Sequence, residues 1–234
     1  MTLPAAERII VALDFPTVDE ARKFVGQMGD TVSYYKVGLE LIYAGGLELL
    51  QELKAAGKKV FLDAKVLDIG NTVERAVRNI AELGVDMTNI HVHDTKTVKA
   101  AVCGVQGSNT ALVGVTVLTN LDNRDLDEQG IKDDLAVNNL VLKRAIMGKL
   151  AGLDGVVSSG LEASTIRNQC GRSFMIVTPG IRLPSDKIDD QERIMTPSRA
   201  IANGAHYLVV GRPITQDANP RGAFARMVAD IEGR

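Results

Sequence analysis

Between residues 8 and 210 the chain alternates short apolar runs with longer stretches of helical periodicity, and it completes the cycle eight times. The apolar runs are 8–13, 33–37, 58–64, 87–92, 111–118, 155–158, 174–178 and 207–210. Most are continuously apolar rather than alternating, the pattern of parallel strands buried on both faces. Helical periodicity marks 18–28, 39–56, 72–83, 98–102, 138–151, 161–168 and 197–203. Gly57, Gly84, Gly152 and Gly204 stand where four of these helices should stop. Eight β/α units in 234 residues are the count of a (β/α)8 barrel. Residues 1–234 are therefore expected to form a single domain of that kind. A doubly wound sheet is the second reading. Its glycine-rich dinucleotide turn would follow the first strand, where this chain has Asp14-Phe15-Pro16-Thr17.

Composition narrows function by exclusion. A net charge of −2 leaves no basic footprint for nucleic acid and no polybasic surface for a membrane. Aromatic residues are 4% and Trp is absent, which argues against a base-stacking surface. No apolar stretch approaches the roughly 20 residues of a membrane span. The first eight residues lack a basic segment followed by an apolar one, so no signal peptide is expected. Cys103 and Cys170 form no CxxC and read as buried small hydrophobes in a reduced, cytoplasmic protein.

Polar residues recur where the strands end. Asp14 closes the first, Lys36 the second, Asp63 and Lys65 the third, His91 and His93 the fourth, and Thr119 the fifth. Pro179-Gly180-Ile181-Arg182 follows the seventh and Gly211-Arg212-Pro213 the eighth. Taken singly, each is as easily a solvated loop residue. Their convergence from seven strands points to the C-terminal mouth of a barrel, where active sites are built. The densest cluster is Asp63-Ala64-Lys65-Val66-Leu67-Asp68. Asp63 and Lys65 share a strand face about 6–7 Å apart. Charges this crowded at a buried strand end must pair, and they suit a site that moves a proton beside a negative charge. Gly211-Arg212, with Pro213 opening a short helix, reads as an anion grip, with backbone donors added by Thr178-Pro179-Gly180. His91 and His93 could join Asp94 or Asp63 at a metal, but His-x-His without a third secure ligand is a weak signature, and no metal is expected. Residues 182–194, long for a barrel loop, read as a lid or ligand clamp.

The run Asp63–Thr72 resembles the DxKxxDIPNT signature of the orotidine 5′-phosphate decarboxylase family. The resemblance extends along nearly the whole chain, through Val11-Ala12-Leu13-Asp14, Lys36-Val37-Gly38, Val115-Thr116-Val117-Leu118-Thr119, Val177-Thr178-Pro179-Gly180-Ile181-Arg182, Asp190-Gln191-Glu192-Arg193-Ile194-Met195-Thr196-Pro197 and Val210-Gly211-Arg212-Pro213-Ile214. Gly70 stands where the family usually has Pro, and Val92-His93-Asp94 replaces smaller residues after the family's histidine, matched by His91. Related magnesium-dependent sugar-phosphate decarboxylases and synthases carry DxKxxDxG, as here, but lack the TPGIR and DQxRIMTP stretches. They are the alternative reading. A non-catalytic phosphoribosyl-ligand sensor is a third, disfavoured by the intact charge array.

The resemblance implies a cofactor-free conversion of orotidine 5′-phosphate to UMP and CO2 in pyrimidine biosynthesis. Lys65 would be the cation and proton donor, Asp63 would lie beside the substrate carboxylate, and Lys36 would hold Asp63 and touch the ribose. Two like charges about 4 Å apart repel by roughly 4 kcal/mol at an effective dielectric of 20, which is about three decades of rate if relieved in the transition state. Asp14 would bond the ribose, and Thr119 the base or its carboxylate. Pro179, Gly180, Arg182, Gln191, Gly211 and Arg212 would form the phosphate side. Asp68 and Thr72 would reach across a homodimer interface into the partner's site.

Overall fold

The structure, a computed structural model, describes residues 3–131, 137–184 and 195–234. Eight parallel strands pair in sequence order: β1 (Ile9–Ala12), β2 (Tyr34–Gly38), β3 (Lys59–Val66), β4 (Met87–His91), β5 (Ala111–Val115), β6 (Gly155–Val157), β7 (Met175–Thr178) and β8 (Tyr207–Val210). β8 pairs back onto β1, with Ile9 opposite Leu208 and Val11 opposite Val210, so the sheet is a closed barrel and the doubly wound reading falls.

Burial on both faces explains the continuous apolar runs. Alternate residues Ile10, Ala12, Tyr34, Phe61, Met87, Val113, Val177 and Val209 pack together as the barrel interior. Their neighbours Ile9, Val11, Tyr35, Val37, Leu62, Leu208 and Val210 join the helices on one side, and Ile90, Leu112, Val156 and Ile176 those on the other. The period of two thus divides each strand between two cores. Followed toward the C-terminal ends, the interior parity of Tyr34 leads to Lys36, that of Phe61 to Asp63, and that of Met87 to Asn89. Buried polar groups Lys36, Asp63 and Asn89 thus enter the barrel at its C-terminal end.

The structure departs from expectation at several points, and Cys103, expected to be buried, is exposed while Cys170 is buried. The stretch 39–56 divides into Leu39–Tyr43 and Leu47–Ala55. Gly45 has a φ of +94°, and a Cβ on Gly46 would lie 2.8 Å from Leu41 Cγ, so the chain breaks at this glycine pair. The fifth strand stops at Val115 rather than 118, and Thr119 lies in a turn beyond it. The helices Asn123–Glu128 and Pro220–Glu232 were not expected, although Asp122 and Asn219 cap them through their side chains. The four helix-stop glycines all have positive φ, from 72° to 106°. No helix among the described residues is long and apolar enough to cross a membrane.

At the opposite end of the barrel, Arg167 donates to the carbonyls of Gly171, Phe174 and Gly204 at 2.6–2.9 Å and lies 2.7 Å from His206 Nδ1. Arg8 donates to the carbonyls of His206 and Ala205. These arginines line a second cavity of about 680 Å³, but their donors are largely committed to the backbone. Their role is to tie the barrel floor.

Gly70 is the first residue of the helix Gly70–Glu82, and Ile69 before it is extended at ψ 148°. Proline is welcome at such a position, and an added Cβ meets nothing nearer than Ala100 Cβ at 3.4 Å. Gly70→Pro is expected to stabilise the fold by about 0.4–1 kcal/mol through the unfolded chain, read as a higher urea midpoint at unchanged slope.

Candidate active site

The C-terminal mouth holds a cavity of about 290 Å³. Asp14, Lys36, Asp63 and Lys65 line one part of its wall, Thr119 and Asn120 another, and Pro179, Gly180, Arg182, Gly211 and Arg212 a third. The first group comes from the ends of β1–β3 and the last from the ends of β7 and β8, so the barrel closure sets them facing one space. Among the described residues that line this cavity, four are cationic and two are carboxylates.

The charges are joined in a chain. Lys36 Nζ lies 2.8 Å from Asp14 Oδ1 and 3.2 Å from Asp63 Oδ2, and Lys65 Nζ lies 2.6 Å from Asp63 Oδ1. Lys36 and Asp63 are each 7% exposed, which makes their mutual pairing obligatory. Burial alone would pull the Lys36 ammonium down, but Asp63 and Asp14 outweigh it and hold its pKa above the ordinary lysine value. Burial likewise opposes ionisation of Asp63, yet Lys36, Lys65 and the bonds from Lys65 and Asn89 keep its carboxyl below the usual range. The central carboxylate and its buried lysine are thus locked in their charged forms.

Two residues that sequence reasoning passed over shape this array. Gly38 leaves room for it: a Cβ there would lie 2.6 Å from Lys36 Nζ and 3.2 Å from Asp14 Oδ1. Gly38→Ala is expected to displace the ammonium and reduce kcat/KM by about 10- to 100-fold without unfolding the chain, since only a side-chain terminus must move; steady-state kinetics beside a thermal melt check it. Asn89, 1% exposed, bonds both Asp63 and the backbone of Lys65. The available signal was its parity, a polar residue on the interior face between Met87 and His91.

Lys65 has a φ of +47° and is the only non-glycine residue with positive φ among those described. The β3–β4 register shifts between Leu62 and Val66, around this residue. The irregularity sends the chain out of the barrel, and Asp68 does not line the cavity. Its Oδ1 accepts the Ile69 N–H at 2.6 Å, and both Asp68 and Thr72 are solvent-exposed. Gln191 and the rest of 185–194 lie outside the described residues, so the loop reading of 182–194 is tested only at its base. There Arg182 is 7% exposed, and its backbone N–H donates to Met195 O at 3.0 Å. Gly180 has a φ of +74°, which turns the β7 end toward the mouth.

The histidines do not assemble a metal cluster. Asp94 instead caps the helix Thr95–Val105, accepting from Thr97 N at 2.9 Å and Thr97 Oγ1 at 2.8 Å. His91 is half-buried, and burial, then Lys65 and Arg144, hold its pKa below the ordinary value. Among the described residues no three His, Cys, Asp or Glu side chains could hold a metal ion together.

The profile of the "Orotidine 5′-phosphate decarboxylase / HUMPS family" matches residues 7–227. An orotidine 5′-phosphate decarboxylase of Rhodopseudomonas palustris is 48% identical over 229 residues, covering 98% of this chain and 96% of that protein. One of Afipia carboxidovorans is 48% identical over 225 residues, 96% and 94% of the two chains. The crystal structure of orotidine 5′-phosphate decarboxylase from Lactobacillus acidophilus superposes with a TM-score of 0.83 at 33% identity, covering 96% of this chain and 99% of that one. A barrel whose mouth carries this charge array, matched in sequence almost from end to end, belongs to the orotidine 5′-phosphate decarboxylase / HUMPS family.

Proposed function

We propose that the chain decarboxylates orotidine 5′-phosphate to UMP and CO2, a step of pyrimidine biosynthesis, with Lys65 as the proton donor. The relatives' names and their near-complete coverage support the reaction. The observation that carries the mechanism is Lys65 Nζ, 2.6 Å from a buried carboxylate inside the cavity.

The difficulty of the reaction is electrostatic. Breaking the C6–carboxylate bond leaves an electron pair in the plane of the pyrimidine, where the ring π system cannot delocalise it. A fixed ammonium beside C6 stabilises that pair as it forms, and one of its protons completes the new C6–H bond. CO2 leaves, Lys65 is left neutral, and it recovers its proton from solvent. Asp63, kept ionised by Lys36 and Lys65, faces the departing carboxylate and disfavours the substrate's charge before it is lost. Lys36 and Asp14 hold the ribose, and Thr119 addresses the base. Arg182, Arg212, Gly180, Gly211 and Pro179, with Gln191 from the loop, hold the phosphate, and closure of 182–194 converts remote binding into assembly of the site.

The working form is a cytoplasmic homodimer in which Asp68 and Thr72 serve the partner's cavity. The exposed position of Asp68 between Leu67, 54% exposed, and Ile69, 73% exposed, supports this arrangement, since apolar groups beside a charge at the rim suit cover by a second copy.

The reaction is tested by following orotidine 5′-phosphate absorbance with purified protein in excess EDTA. Turnover is expected. No turnover there, together with activity on a sugar phosphate plus magnesium, would assign the chain to the magnesium-dependent branch instead.

A further inference from the structure

We infer that Asn89 is a positioning residue that fixes the aim of Lys65 and the ionised state of Asp63 through a single side-chain amide. The inference rests on Lys65 being the proton donor.

Asn89 stands on β4, one strand away from both groups, and is buried. Its Oδ1 accepts the backbone N–H of Lys65 at 2.7 Å, and its Nδ2 donates to Asp63 Oδ1 at 2.6 Å. Lys65 Nζ closes the ring on the same Asp63 oxygen at 2.6 Å. The amide can sit only one way round, because a flip would set NH2 against the Lys65 N–H and oxygen against the carboxylate.

The first bond falls where the backbone most needs it. A lysine at φ +47° is held in a region that costs roughly 1–2 kcal/mol for a residue with a Cβ. Such a conformation persists only where its surroundings over-determine it. The β3–β4 ladder cannot do so, since its register slips between Leu62 and Val66. The Asn89 carbonyl replaces the missing ladder partner. The second bond, shared with Lys65 on one oxygen, favours the ionised form of Asp63. A carboxylate in the place of that amide would instead put two acidic oxygens about 2.6 Å apart, and one of them would bind a proton near neutrality.

The test uses Asn89→Asp and Asn89→Ser in the full chain, with kcat, KM and UMP affinity measured across pH and a thermal melt on each variant. A positioning role predicts that kcat falls by at least about 100-fold while UMP affinity stays within about threefold, because the phosphate grip lies on β7 and β8. It also predicts that Asn89→Asp moves the acidic limb of the kcat profile upward by a unit or more. Asn89→Ser, which removes the donor but adds no charge, lowers kcat and moves the limb upward by less than Asn89→Asp does, and it serves alone if Asn89→Asp does not fold. Folded variants with wild-type kcat, or with kcat and UMP affinity lost in parallel, overturn the inference. Turnover by Lys65→Ala overturns the donor reading and this inference with it. An inactive Lys65→Ala beside unaltered Asn89 variants overturns the inference alone.

Discussion

Replacing Lys65 with alanine is expected to stop turnover while leaving nucleotide binding in place. A positioned general acid is worth about 10²–10⁴ in rate, and a fixed electrostatic donor a further 10²–10³. A loss of at least roughly four decades in kcat follows. UMP should still bind within about tenfold, because Arg182, Arg212 and Gly180 lie on the other side of the cavity. Alanine at φ +47° carries the same backbone cost as lysine, and Asp63 keeps Lys36 as a partner, so any fall in melting temperature should reflect the lost Lys65–Asp63 pair alone. Lys65→Arg should be as inactive as Lys65→Ala, since a guanidinium keeps its charge but does not release a proton near neutrality. Stopped or single-turnover absorbance, with calorimetric UMP binding, separates these outcomes. Measurable turnover by either variant would remove Lys65 from the donor role.

Asp63→Asn is expected to harm both stability and activity, and the two can be told apart by pH. The carboxylate lies between Lys36 and Lys65, and its removal leaves a buried ammonium with Asp14 as its remaining carboxylate partner. Breaking one side of a buried pair costs about 3–5 kcal/mol. The sign of the pH dependence follows from the depressed Asp63 pKa. Its stabilisation is present above the unfolded carboxyl value of about 3.9 and is lost as pH falls through the lower folded value. The gap between wild type and Asp63→Asn in urea midpoint should therefore be wide at pH 7 and close below about pH 4. Lys36 gives the opposite edge: its raised pKa stabilises below the unfolded value of about 10.4, and that contribution fades as pH rises through the folded one. His91, held below the ordinary value, destabilises the fold as pH drops under about 6.5, equally in wild type and variant unless loss of Asp63 changes its surroundings. A pH-independent gap would mean that Asp63 is not ionised in the fold.

The barrel was legible because burial on two faces writes itself into composition. Runs such as 58–64 and 207–210 need no partner to be recognised, and the glycines at 57, 84, 152 and 204 mark where helices must stop. The site was legible where charge met a strand end, at Asp63, Lys65 and Lys36. It was not legible at Asn89 and Gly38, whose importance lies in what faces them across a strand gap. Nothing local distinguishes Gly38 from a helix-start glycine until the Lys36 ammonium is seen 2.6 Å from the place its Cβ would take. The helix Pro220–Glu232 carried readable signals, Asn219 before Pro220 and Gly233 after Glu232. It was missed because it follows the last strand, where the β/α count was already complete.

The seam between β1 and β8 gives the enzyme a birth order. Arg8 reaches the His206 carbonyl 198 residues later, and the two strands that close the wall are the first and last to leave the ribosome. Asp14, Lys36, Asp63 and Lys65 are synthesised before Gly211 and Arg212. A nucleotide held as proposed, between the ends of β1–β3 and those of β7 and β8, would bridge segments far apart in sequence, so bound UMP should protect β1 and β8 from exchange and proteolysis as well as the residues it touches.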